Sequence, residues 1–212
     1  MPHHADYWNG FYETRASAAV PDQPSAFASW VAERLEPGQP IIEFGFGNAR
    51  DTFWFARQGR TLKGFDFAAS AVESALARDF EGERPTFAQH DLYDDDDCVR
   101  LSLELADLEA PAVYGRFLLH SLEERGRNNL YDLAAVACAG GGTIYLEFRT
   151  GHDEGAKHLF GDDHFRVYLD PDEVLGELKS RGASIKDCLT GHGMAVYKTE
   201  DPHVARIAAT WL

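Results

Sequence analysis

The chain has 212 residues, 44% of them hydrophobic, and a formal net charge of −15. This size and composition predict a single globular domain with a sizeable core. The negative charge argues against nucleic acids and anionic membranes as partners, because both are bound through basic surfaces. No apolar run is long enough to span a bilayer and residues 1–6 lack a signal-peptide pattern, so we expect a cytoplasmic protein.

The first predicted segment, residues 1–24, is aromatic. Tyr7, Trp8, Phe11 and Tyr12 recur at helical spacing. Such a face could cover a ligand and exclude water, or it could pack on the core or on a second copy of the chain. We interpret this segment as a candidate lid, and the oligomeric state stays open.

The remaining chain, residues 25–212, predicts alternating strands and helices without an internal repeat. Short apolar runs bounded by turn residues indicate strands, and longer periodic segments indicate helices. The alternation predicts an α/β fold, namely a Rossmann-like, seven-stranded, mostly parallel sheet with helices on both faces, in a single domain. The predicted helices lie over 26–35, capped by Ser25, over 51–58, near 69–79, from 94–97, over 123–139, from Asp170 and, as a closing helix, over 202–212. The predicted strands lie over 41–44, 61–66, 85–92, 112–118 and 143–148, and two antiparallel strands follow over 184–198. A loop insertion is predicted over about 149–166.

The first predicted strand reads Ile-Ile-Glu-Phe and leads into a glycine turn at Gly45 and Gly47. Glycines at a strand-to-helix turn let a ligand approach bare backbone, and the helix start beyond offers unpaired N–H groups. A dinucleotide-binding turn would carry its third glycine where this chain has Arg50, so the spacing argues against a nicotinamide cofactor.

Two further predicted strands end in acids. The second strand ends at Asp66, roughly 20 residues after Gly47, an offset that places a carboxylate within reach of ribose hydroxyls in a βαβ unit. The third ends at Asp91. Because the carboxyl ends of parallel strands lie on one edge of a sheet, these strand ends predict one shared ligand site.

Four stretches carry a family resemblance, at residues 42–48, 64–66, 90–92 and 113–120. They resemble motifs of the class I S-adenosylmethionine-dependent methyltransferases, over roughly residues 25–200. The resemblance implies S-adenosylmethionine as cofactor and S-adenosylhomocysteine as product, with the glycine turn along the methionine part, the second-strand acid on the ribose and the third-strand acid at the adenine amino group. The family's third motif glycine is Ala49 here. The candidate cofactor-binding residues are Glu43, Gly45, Phe46, Gly47, Asn48, Asp66, Phe67, Asp91, Leu92 and Arg116.

A finer resemblance concerns residues 117–120, 164–166 and 200–206. They are similar to bacterial methyltransferases of polysaccharide and nucleoside-antibiotic pathways, including the tunicamycin pathway. This similarity implies a hydroxylated acceptor, which could contain a sugar or carry a phosphate. The aromatic N-terminal segment likewise resembles the segments that cover the cofactor in small-molecule methyltransferases of the thiopurine and tellurite types.

A hydroxyl acceptor benefits from a base, and His120 follows the fourth predicted strand, at the site edge. The same histidine could instead cap the next helix or pack behind the site. Arg116 could bind an anionic group or pair with an acid. The histidines of the loop insertion match no metal-ligand spacing, so no metal site is predicted. The candidate substrate-binding residues are Tyr7, Trp8, Tyr12, Arg149, His164, Arg166 and Tyr168.

The sequence therefore predicts methyl transfer from S-adenosylmethionine to a small molecule, at a hydroxyl oxygen. Two alternatives stay open. One is a non-catalytic module that binds S-adenosylmethionine. The other is a protein methyltransferase, whose partner would need a basic surface to match the acidic chain.

Overall fold

The structure of the protein, a computed structural model, describes residues 3–15, 23–155 and 166–211. Its strands form one seven-stranded sheet in the order β3-β2-β1-β4-β5-β7-β6. The strands are β1 (Ile41–Phe44), β2 (Leu62–Asp66), β3 (Thr86–Gln89), β4 (Ala112–Arg116), β5 (Thr143–Arg149), β6 (Ser184–Gly191) and β7 (Val204–Thr210). The helices are α1 (His3–Arg15), α2 (Ala26–Ala32), α3 (Arg50–Arg57), α4 (Ala69–Ala77), α5 (Asp95–Leu105), α6 (Glu124–Ala137) and α7 (Pro171–Ser180), with short 3₁₀ turns at Leu119–Ser121 and Gly151–Asp153.

The sheet is mixed. Strands β1 to β5 are parallel, whereas β7 lies antiparallel between β5 and β6. This arrangement confirms a Rossmann-like α/β domain with an antiparallel hairpin at one side. The order reverses between β1 and β4, and such a reversal leaves a crevice at the carboxyl ends of the strands.

Two predictions for the end of the chain are wrong. The closing helix over 202–212 is strand β7, and the predicted strand pair over 184–198 is the single strand β6 followed by a connection. All seven residues of β7 are buried, so the strand has no solvent-exposed face and no alternation of exposed and buried residues. A short apolar run of this kind has the same pattern as a buried helix segment, and only strand pairing decides between them.

Helices cover both faces of the sheet, as predicted. Ile42 and Phe44 of β1 belong to a core with α5, α6 and α7, while Ile41 packs with α2 and α3 on the opposite face. This division follows from the two-residue period of a strand. In the described part of the chain, no helix combines the length and apolar character needed to cross a membrane.

Several helix starts follow local capping chemistry. Ser25 accepts a hydrogen bond from the Ala28 N–H at the start of α2, and Asp170 caps α7 ahead of Pro171. Strand β4 ends two residues before the predicted limit because Phe117 has a φ of 55°, which no strand residue adopts. These boundaries place the strand ends, and with them the site, on one side of the sheet.

Candidate functional site

A cavity of about 650 Å³ lies at the carboxyl ends of β1, β2 and β4. It brings together residues from most of the chain, including α1 and the connection between β6 and β7. The predicted site residues that line it are Trp8, Tyr12, Glu43, Gly45, Phe46, Gly47, Asn48, Asp66, Phe67, Asp91, Leu92, Arg116, His120, Arg149 and Arg166.

Three predicted residues are not part of this group. Within the described chain, Tyr7 stacks on Phe11 with ring centroids 6.3 Å apart and does not line the cavity, and neither does Tyr168. His164 lies outside the described residues, as does most of the predicted loop insertion. Among the described residues, no cluster of three or more histidine, cysteine or acidic side chains could hold a metal ion.

The glycine turn has the backbone that its sequence predicts. Gly45 and Gly47 have φ angles of 68° and 56°, a region that glycine enters without a steric cost. A Cβ on Gly47 would lie 2.6 Å from the hydroxyl oxygen of Tyr12, so the α1 tyrosine rests directly on the turn. Ala49, in place of the family's third glycine, also has a positive φ of 54°.

Asp66 at the end of β2 is tied to this turn. Its Oδ2 accepts the Gly47 N–H at 2.8 Å, and its Oδ1 accepts the Ala68 N–H at 2.9 Å. Burial raises the pKa of Asp66 to about 6, although these backbone donors oppose the rise. Each carboxylate oxygen keeps a second lone pair, so the group can still accept from two neighbouring ligand hydroxyls.

Asp91 is positioned by the turn into α5. Its Oδ1 accepts the Tyr93 N–H at 2.8 Å, and its own N–H donates to Asp97 Oδ2 at 3.2 Å. His90 beside it is bound to Asp97 at 2.7 Å and sits at the edges of two core phenylalanine rings. His90 and Tyr93 also line the cavity, and neither was among the predicted site residues.

Glu43 is an acid buried beneath the glycine turn. It accepts a hydrogen bond from the Thr52 hydroxyl at 2.6 Å. Burial, and next the nearby charge of Asp51, raises the pKa of Glu43 to about 8. The side chain is therefore mostly protonated at neutral pH.

Asp51 joins the start of α3 to the start of α2. It accepts the Ser25 N–H at 2.8 Å, the Ser25 hydroxyl at 2.6 Å and the Tyr114 hydroxyl at 2.8 Å. Burial opposes ionisation, but the charges of Arg116 and Arg50 and the bonds from Ser25 lower its pKa. This network fixes the chain beside the cavity. Its residues lie far apart in the sequence, so no sequence motif predicts it.

Glu147 of β5 is a buried carboxylate shared by two arginines. Its Oε1 accepts from Nε of Arg116 at 3.0 Å, and its Oε2 accepts from Nε of Arg206 at 2.8 Å. The guanidinium carbon of Arg116 lies 4.3 Å from the ring centre of Phe117. A bulky residue at positive φ is strained, and Phe117 stands at the cavity between Arg116 and His120.

His120 lies in the 3₁₀ turn after β4 and is buried. Its Nδ1 accepts the Arg149 backbone N–H at 3.3 Å, which favours the neutral tautomer that carries hydrogen on Nε2. Its carbonyl accepts the Val167 N–H at 2.7 Å. The ring is thus oriented by β5 and by the segment that precedes α7.

The connection between β6 and β7 was missed as part of the site. Ala195, Val196, Tyr197 and Glu200 line the cavity, and Glu200 Oε1 binds Nη2 of Arg149 at 2.8 Å. The only sequence signal is a set of turn residues in 191–202, which marks a loop without saying where the loop lies.

No protein-family model matches the sequence, and no curated protein does. Solved structures do match the fold. An S-adenosylmethionine-dependent methyltransferase from Anabaena variabilis is 16% identical with a TM-score of 0.75, covering 99% of this chain and 95% of its own. A TehB-like S-adenosylmethionine-dependent methyltransferase from Corynebacterium glutamicum is 15% identical with a TM-score of 0.66, covering all of both chains.

A third solved structure is magnesium protoporphyrin IX methyltransferase from Synechocystis with bound S-adenosylhomocysteine. It is 19% identical with a TM-score of 0.66, covering 99% of this chain and 98% of its own. At these identities the likeness concerns the fold. The chain has the class I fold of the S-adenosylmethionine-dependent methyltransferases.

Proposed function

We propose that the protein transfers a methyl group from S-adenosylmethionine to a hydroxyl oxygen of a small molecule. The observation that carries the proposal is the Asp66 carboxylate, bound to the Gly47 N–H in a cavity at the reversal point of the sheet. Parallel sheets bind nucleoside ligands at this place. A cavity of about 650 Å³ also suits a small ligand, since drug-sized ligands occupy pockets of this order.

The residues present fit the cofactor. Asp66 is a buried acceptor for ribose hydroxyls, and Asp91 is a half-buried carboxylate suited to the adenine amino group. The glycine turn also lines the cavity and is proposed to lie along the methionine part. When bound, S-adenosylmethionine supplies a methyl group already activated by the positive sulfur. The protein then has to align the acceptor, exclude water and handle one proton.

In this proposal, His120 accepts the proton that the acceptor hydroxyl loses. The ring lines the cavity, and a histidine has a suitable affinity for a proton near neutral pH. The hydrogen bond from the Arg149 N–H to Nδ1 constrains this role, because it keeps the ring hydrogen on Nε2. A ring nitrogen that carries a hydrogen donates a hydrogen bond and cannot accept a proton. Proton uptake at Nε2 therefore requires the 3.3 Å contact with Arg149 to open.

In this proposal, α1 and the connection between β6 and β7 exclude water from the cavity. Trp8 and Tyr12 of α1 pack against the core beside the glycine turn, and Val196 and Tyr197 stand at the other side of the cavity. The net charge of −15 disfavours a nucleic acid or an anionic membrane as partner, which supports a small acceptor.

Calorimetric titration tests the cofactor first. We expect micromolar binding of S-adenosylmethionine and S-adenosylhomocysteine and no binding of NAD. Transfer of a labelled methyl group is then measured against hydroxylated compounds and their amino analogues. Failure of both cofactor forms to bind would refute the proposal, and transfer to the amino analogues alone would refute the hydroxyl acceptor.

A further inference from the structure

Arginines concentrate in the cavity although the chain is strongly acidic. Five of them line it beside six acidic side chains, and the guanidiniums of Arg116 and Arg149 both lie over the ring of Phe117. Arginine recognises planar oxyanions through paired N–H donors. The five are Arg50, Arg78, Arg116, Arg149 and Arg166.

A buried acid positions the Arg116 side chain through its Nε atom. Its Nε donates to Glu147, a carboxylate whose side chain is fully buried and whose other oxygen is taken by Arg206. Within the described chain, Glu147 is the one side chain that accepts a hydrogen bond from the Arg116 guanidinium, and the charge of Asp51 also acts on it. The side chain is 23% exposed, and that exposure is into the cavity. Its two terminal NH₂ groups are thus fixed in place and ready to donate.

Arg50 repeats the arrangement from the start of α3. Its Nε lies 3.3 Å from Asp51 Oδ1, and Asp51 is already occupied by Ser25 and Tyr114. Among the described residues, Asp51 is the one side-chain partner of the Arg50 guanidinium. Two guanidiniums, each anchored on a buried acid through Nε, therefore offer two separate pairs of terminal donors to the same cavity.

The cofactor can satisfy one of them. S-adenosylmethionine carries one carboxylate, and its sulfonium and ammonium groups give it a net positive charge. The two guanidiniums are anchored on different acids, so one carboxylate can serve only one of the two pairs of terminal donors. The acceptor is the remaining source of an anion for the other pair.

We propose that the acceptor is a hydroxy acid whose carboxylate binds the terminal nitrogens of Arg116, with its apolar part against the ring of Phe117. This inference rests on the proposed function and specifies its substrate class. Phe117 supplies the surface, since its strained backbone holds the ring beside both Arg116 and His120. A carboxylate seated on Arg116 would bring a hydroxyl on the same molecule toward His120.

The test measures acceptor-site binding separately from cofactor binding. The protein is saturated with S-adenosylhomocysteine and titrated with hydroxy acids, for example 3-hydroxybenzoate, 4-hydroxybenzoate and 3-phenyllactate, and with their uncharged amides. We expect at least one acid to bind about tenfold or more tightly than its amide. In Arg116→Gln that preference should vanish while the affinity for S-adenosylhomocysteine stays within about twofold.

The controls separate the alternatives. Arg57→Gln, an exposed arginine of α3 outside the cavity, removes the same charge and should keep the preference. Arg116→Lys keeps the charge without the planar guanidinium and should retain part of the preference for the acid over its amide. This second variant keeps the test valid if Arg116→Gln does not fold. Thermal unfolding of each variant checks the fold.

Two results would overturn the inference. The first is that no acid in the series binds the loaded protein more tightly than its amide. The second is that Arg116→Gln weakens S-adenosylhomocysteine but not 5′-methylthioadenosine, which lacks the carboxylate, because Arg116 would then serve the cofactor. Failure of S-adenosylhomocysteine itself to bind the unmodified protein would instead refute the proposed function.

Discussion

Gly47 donates its backbone N–H to Oδ2 of Asp66 at 2.8 Å, which ties the turn after β1 to the last residue of β2. The Ala68 N–H holds the other oxygen at 2.9 Å. The acid that is proposed to bind the ribose is therefore also a brace for the glycine turn. Its replacement should change the cofactor site twice, by removing an acceptor and by loosening the turn.

Asp66→Ala is expected to weaken S-adenosylhomocysteine binding by a factor of about 10 to 100, because two charge-assisted hydrogen bonds are lost. Calorimetry measures the affinity, and thermal unfolding reports the loss of the brace. Asp107→Ala, an exposed acid outside the cavity, is the matched control. Near-normal affinity in Asp66→Ala would remove this residue from the ribose site.

Cofactor affinity should also depend on pH through Asp66. Burial raises its pKa to about 6, and a protonated carboxyl is a poorer acceptor for two hydroxyls. Affinity for S-adenosylhomocysteine is therefore expected to be constant from about pH 8 down to 7 and to fall below pH 6. Asp66→Asn should bind weakly at every pH and lack this fall. A flat profile in the unmodified protein would contradict the assignment.

Glu43 should make the protein less stable as the pH rises. Burial raises its pKa from 4.5 to about 8, so between these values the folded state holds a proton that the unfolded state has released. The free energy of unfolding then decreases with rising pH across this window, by on the order of 5 kcal/mol at most.

Glu43→Gln resembles the protonated acid and keeps an acceptor for the Thr52 hydroxyl. Its denaturant midpoint should fall less than that of the unmodified protein between pH 5 and 8, and it should be the more stable of the two at pH 8. Glu83→Gln, at an exposed position, should leave the slope unchanged. Equal slopes in all three proteins would mean that Glu43 is ionised in the folded state at neutral pH.

His120→Gln separates a base from a hydrogen-bond donor. A glutamine amide can donate roughly where Nε2 does, but it cannot take a proton. If His120 is the base, kcat should fall by a factor of about 100 or more, with the affinity for S-adenosylhomocysteine unchanged. Retention of most of the turnover in His120→Gln, together with its loss in His120→Ala, would assign a donor role instead.

Gly47→Ala should destabilise the protein and displace α1. The backbone strain at φ 56° costs about 1 to 2 kcal/mol, and the new Cβ would lie 2.6 Å from the Tyr12 hydroxyl. Gly59→Ala has the same strain at φ 76° with nothing within 4 Å, so the difference between the two variants reports the α1 contact. Tryptophan fluorescence of Trp8 and chemical unfolding measure it. Identical losses would indicate that α1 does not rest on the turn in solution.

Local sequence was sufficient for the side of the cavity formed by the glycine turn. The turn at Gly45 and Gly47 needs positive φ angles, Asp66 is the last residue of β2, and Asp91 follows β3 by two residues. These features are encoded within a few residues of one another, and parallel strand order then brings them to one edge. The helix caps at Ser25 and Asp170 could also be predicted from the sequence, because capping is a contact between residues close together in the chain.

Only the tertiary structure decided the arrangement around Glu147 and Arg116. Glu147 binds Arg116 and Arg206, which are far apart in the chain, and β7 is a strand only because β5 and β6 pair with it on either side. The connection that carries Glu200 reaches the cavity for the same reason. Contacts of this kind leave no periodic or motif signal, since each partner alone is an ordinary residue. The sequence by itself determined the glycine turn and the acids at the strand ends, and packing between distant strands decided which charged side chains line the rest of the cavity.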